Sequence, residues 1–116
     1  MYEILDQLNK ADGVSGSLIM GKDGLVVAAE LGTDVDENAV AAIGSQIMSS
    51  LQGALRRMQM GSFKRFVVTG RDGKVILANA ESVMLVLFLD FDANIGMAGV
   101  AIKEAVQGIQ QKLRMA

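Results

Sequence analysis

The chain has no cysteine, no histidine and no tryptophan. Without cysteine there is neither a disulfide nor a thiolate nucleophile. Without histidine a Ser-His-Asp relay, a Cys-His pair, a zinc site of the HExxH type and imidazole acid–base catalysis are all excluded. Carboxylates, lysines, hydroxyls and one tyrosine are what remains for chemistry. An excess of one charge is lacking too, since 11 Lys and Arg face 13 Asp and Glu for a formal net charge of −2. Interspersed charges of both signs give no strong field for a phosphate backbone, so nucleic acid is not an expected partner. Long hydrophobic runs are also missing. The longest uncharged apolar run, Val83 to Leu89, falls well short of the roughly 20 residues a membrane helix needs. No membrane insertion is expected. Glu3 and Asp6 stand where an export signal would carry Lys or Arg, so the expected compartment is the cytoplasm.

What is present is an apolar chain of 116 residues, 51% hydrophobic, of a length that suits one domain over residues 1–116. Eight methionines outnumber four phenylalanines. Flexible thioethers fill irregular core gaps, and they also suit a binding face.

Ile4, Leu5, Leu8 and Ala11 recur at helical spacing and predict a short first helix closed by Gly13. Two segments then resemble each other, Val14 to Leu31 and Phe63 to Ala80. In each, an Asp-Gly pair (Asp23-Gly24, Asp72-Gly73) separates β-rich runs, which predicts a hairpin. Their glycines complete neither a Rossmann nor a Walker loop, because Val68 and Val75 occupy the positions a Walker loop needs for Gly and Ser or Thr. Val83 to Asp90 is apolar on both alternating faces and predicts a central strand covered on both sides. The last helix is expected from about Asn94, with Ile95, Ala98, Ile102, Ala105, Ile109 and Leu113 on one face. The expected order is αββαβββα.

Between the hairpins a long helix is expected from about Asp36 to Met60, capped by Thr33 or Asp34. Val40, Ile43, Ile47, Leu51, Ala54 and Met58 form a stripe spaced to lie on the sheet. A second surface, Ala41, Gly44, Ser45, Met48, Ser49 and Gln52, is rich in small residues. Glycine inside a helix costs roughly 1 kcal/mol against alanine, so this surface is either a solvated face or the place where another helix packs closely. At the other end of the chain, Asp90, Asp92 and Asn94 alternate like calcium ligands. The glycine at 96 comes one place late and Ala101 holds the site of the bidentate Glu, so a helix cap on Asp92 or Asn94 is the economical account. No metal, catalytic residue or cofactor is expected.

The Asp12 to Gly16 entry, the Asp23-Gly24 turn and the Ala93 to Gly96 corner together resemble the roadblock/LC7 family, over essentially the whole chain. That family includes dynein light chains and the bacterial gliding regulator MglB. The resemblance implies an α+β, profilin-like fold: a five-stranded antiparallel sheet with the long helix on one face and the two terminal helices on the other. It implies a homodimer in which the strand after the long helix pairs with its twin and the two long helices lie side by side. The expected dimer surface is Ala41, Gly44, Ser45, Met48, Ser49 and Gln52 with Phe63, Lys64, Arg65, Phe66 and Val67. Charges such as Lys64 and Arg65 on an edge strand often prevent association, but two-fold pairing can place them at the rim of the interface. The resemblance further implies a non-enzymatic regulator or scaffold that binds a small Ras-like GTPase, with Met48, Gln52, Arg56, Arg57, Gln59 and Met60 as the docking contacts. Arg56 or Arg57 is then either an inserted arginine finger or a cation complementing the helix dipole. The alternative is an assembly module of the dynein-light-chain type that holds a peptide or larger subunit without touching a nucleotide cycle.

Overall fold

The structure is a computed structural model, and it describes residues 1–115. The elements run α1 (Tyr2–Asn9), β1 (Val14–Gly21), β2 (Val26–Glu30), α2 (Glu37–Arg57), β3 (Arg65–Thr69), β4 (Lys74–Ala80), β5 (Val83–Leu89) and α3 (Ile95–Met115). This is the αββαβββα order that the periodicities predict. The strands form one antiparallel sheet in the order β2-β1-β5-β4-β3.

β5 is central because its side chains have no polar face to give to water: Val83 through Leu87 and Leu89 are buried. Its even and odd residues feed two cores. Leu85, Leu87 and Leu89 join Ile19, Ile76 and Ala78 beneath α1 and α3, where Ala98, Ile102, Ala105 and Ile109 line the buried stripe of α3. Met84 and Val86 join Leu18, Met20 and Leu77 beneath α2. α1 is tied down by Asn9, whose Oδ1 accepts from the Ser17 hydroxyl at 2.6 Å and whose Nδ2 donates to the Glu30 carbonyl at 3.1 Å.

The caps fall where side chains can reach. Asp36, rather than Thr33 or Asp34, caps α2, with its Oδ1 accepting from the amides of Asn38 and Ala39 at 3.0 and 3.3 Å. Asn94 caps α3 through the Met97 amide at 3.1 Å. The corner before α3 also holds a cation that its local sequence does not carry. Lys74, from β4, donates from Nζ to the carbonyls of Phe91 and Ala93 at 2.6 and 3.1 Å. Of the two similar hairpins only the first places its glycine in the left-handed region, at Gly24 with φ 89°. No described helix is long and apolar enough to cross a membrane.

Candidate protein interaction surface

The sheet-facing side of α2 is only partly the one the sequence predicts: Val40, Ile47 and Leu51 pack half-buried against the core under α2 as expected, but the most buried positions come from the second surface. Ala41, Gly44 and Met48 face the protein's own sheet and are buried, whereas Ile43 and Met58 are 56% and 58% exposed. The cause is the bulk of the sheet beneath. Met20 and Met84 stand upright there, and a Cβ on Gly44 would meet the Met20 Sδ at 3.0 Å and the Met84 Cε at 3.4 Å. Only small residues let the helix come that near. The close approach that offsets the helical glycine is therefore to the sheet, and Ala41, Gly44 and Met48 are not available to a second subunit.

Other expected contacts are also internal. Gln52 is half-buried, and its Oε1 accepts from the Phe63 amide at 3.2 Å. Phe63 lies ahead of β3 rather than in it, and packs into the core under α2. Ser45 uses its hydroxyl to hold the Lys22 carbonyl at 2.9 Å, which fastens the β1–β2 turn to α2. Ser49, Lys64 and Arg65 remain exposed. So do Arg56, Arg57, Gln59 and Met60, which sit together at the C-terminal end of α2, where the two arginines complement the helix dipole.

Register divides β3 between the two faces of the sheet. Phe66 and Val68 oppose Leu77 and Val75 on the α2 side, while Arg65 and Val67 oppose Ala78 and Ile76 on the α3 side. β3 pairs only with β4, so its outer edge presents unpaired backbone groups. Beside that edge α2 leaves an apolar trough of about 220 Å³, lined by Val40, Ile43 and Ile47 from the helix and by Val68, Val75 and Phe88 from the sheet. Ile43 and Val68, both missing from the expected interface, are its most exposed apolar walls at 56% and 40%. The period-2 pattern of β3 carried a signal for Val68, since it shares a face with Phe66.

The arrangement offers a bare strand edge beside an apolar trough, with a polar helix end further along α2. It is suited to holding protein. Comparison with known proteins gives the family. The model of the Roadblock/LC7 domain matches residues 1–88. An uncharacterised protein of Methanocaldococcus jannaschii is 32% identical over 107 residues, which is 92% of this chain and 94% of the relative. Among solved structures, MglB of Myxococcus xanthus superposes with a TM-score of 0.94 at 16% identity, covering 98% of this chain and 94% of that one. A roadblock/LC7 domain from Streptomyces avermitilis superposes with a TM-score of 0.91 at 17% identity, covering 98% of both chains. The chain belongs to the roadblock/LC7 family.

Proposed function

We propose that this protein works as a homodimer that binds a small Ras-like GTPase in the cytoplasm and regulates or scaffolds it without doing chemistry of its own. The observation that carries the reading is the bare edge of β3 lying alongside the apolar trough of α2. An unpaired strand edge next to exposed aliphatic side chains invites association unless a partner covers it. A second copy related by a two-fold axis covers both at once, because a two-fold makes the same patch complement itself. Centred on Val67, antiparallel self-pairing sets Arg65 against Thr69 of the partner subunit, so the edge cations do not meet each other.

Arg56, Arg57, Gln59 and Met60 then stand at the rim of the paired helices as the contacts for the GTPase. Gln52, and with it Met48, drops out of that set, because both are occupied inside the protomer.

The test has two arms. Light scattering across a dilution series should give twice the 12.3 kDa chain mass, and I43D/V68D should reduce it to one. Immobilised protein should then retain a Ras-like GTPase in one nucleotide state, and R56A/R57A should weaken that retention or the change in GTP turnover. Retention indifferent to nucleotide would favour the assembly module, and a wild-type monomer at micromolar concentration would end the homodimer.

A further inference from the structure

On the opposite face of the sheet, between α3 and the β3–β4 edge, lies a cleft of about 740 Å³. This is within the size range of ligand-binding pockets. Lys64 and Arg65 form one wall, Lys103 stands on the other, and Lys22 from the β1–β2 turn closes an end. The carboxylate in the lining is Glu81, and Arg114 already holds it at 3.0 Å. Among the described residues none of the four cations is ion-paired. A chain of net charge −2 thus gathers four uncompensated positive charges around one depression, and such a cleft concentrates anions.

Its size and its neutral lining narrow the choice of anion. A single phosphate group fills only a small part of a cleft this large and uses only its cations. A carboxylate-rich peptide in extended form uses more of it, with side-chain anions for the lysines and Arg65 and main-chain N–H and C=O groups for Gln107 and Gln110 on the α3 wall.

We infer that this cleft binds an acidic, extended peptide segment of a partner protein. Lys64 and Arg65 stand at the β3 edge, where the proposed self-association also lies, whereas Lys22 and Lys103 lie off it, so variants of these two separate the failure of one idea from the failure of the other.

The experiment uses the full chain and a dye-labelled octapeptide of alternating Glu and Ser, at about 50 mM salt, where screening is weak. Expected are saturable binding and shifts of the Asn79, Lys103 and Gln107 amide signals in the ¹H–¹⁵N spectrum. K22E/K103E should lose at least about tenfold in affinity with unchanged melting temperature and particle mass. R65Q provides a second variant with the same expected direction. The inference is overturned if the double variant binds within a factor of about two of wild type, or if the shifting amides lie elsewhere. It is equally overturned if inorganic phosphate or phosphatidylglycerol vesicles displace the peptide at matching concentration of charge, which would assign the cleft to phosphate or to a lipid surface.

Discussion

The guanidinium of Arg65 rests on α3 at Gly99, where an added Cβ would stand 3.3 Å from Nη1. The edge strand and the last helix are thus joined by a long side chain lying over a residue that has none. The displaced atom would be the free end of a flexible arm, and alanine is a better helix former than glycine by about 1 kcal/mol. G99A should accordingly raise stability by about 0.5–1 kcal/mol in chemical denaturation, with Arg65 swinging towards solvent. A loss of stability would mean that the guanidinium is wedged in place and that its contact with the helix is structural.

Gly44 presents the opposite case. The atoms above it belong to Met20 and Met84, both fully buried with nowhere to retreat. G44L should destabilise the fold by about 1–3 kcal/mol, as overpacking of a filled core does. M20A opens space at the same point, so the double variant G44L/M20A should be less destabilised than the sum of the two single ones. Strict additivity in that cycle would show that α2 does not approach the sheet through this contact.

The contrast between these two glycines shows which parts of the structure were legible in the sequence. Element order was, because β5, the hairpins and the stripe of α3 are written in local periodicity. Ala98, Ile102, Ala105 and Ile109 all point inward as their spacing predicts. The rotation of α2 was not. Its two stripes differ by about one residue step and both give residues to the buried side, and the closest approach was set at Gly44 by methionines on β1 and β5 that no local pattern reports. Gln52 and Phe63 pair across a turn, which turned two expected surface contacts into internal ones. The trough and the basic cleft are assembled from segments far apart in the chain. Their chemistry is visible only after folding, although Lys64 and Arg65 already stood out as charges on an edge.

Lys74 illustrates such non-local chemistry at the corner before α3. Its ammonium satisfies two carbonyls and lies 5.9 Å from the centroid of the exposed Phe91 ring. Hydrogen bonds to a charged donor contribute about 1.5–3 kcal/mol each at most sites, less where water can substitute. K74M should therefore cost about 1–2 kcal/mol and speed amide exchange across residues 91–97 while leaving β1 and β2 unchanged. Uniform acceleration throughout the chain would instead mark Lys74 as a support of the whole fold.

The remaining prediction concerns acid. Glu3 is held at a pKa of about 2, below its ordinary 4.5, first by a hydrogen bond from the backbone and then by Lys112, with the amino terminus assisting. Lys112 Nζ lies 3.2 Å from Glu3 Oε2 and so links the start of α1 to the last turns of α3. A carboxylate whose pKa is lower in the folded than in the unfolded chain stabilises the fold fully above the unfolded value. That contribution is lost as pH falls through the folded value. The window therefore runs from about 4.5 down to about 2. The pair is solvent-exposed, so the effect is screened and should shrink further in high salt. Melting curves of wild type and E3Q should lie apart at neutral pH and converge as the solution is acidified through that window. Curves that stay parallel down to the lowest pH would mean that the Glu3 charge does nothing to hold the two terminal helices together.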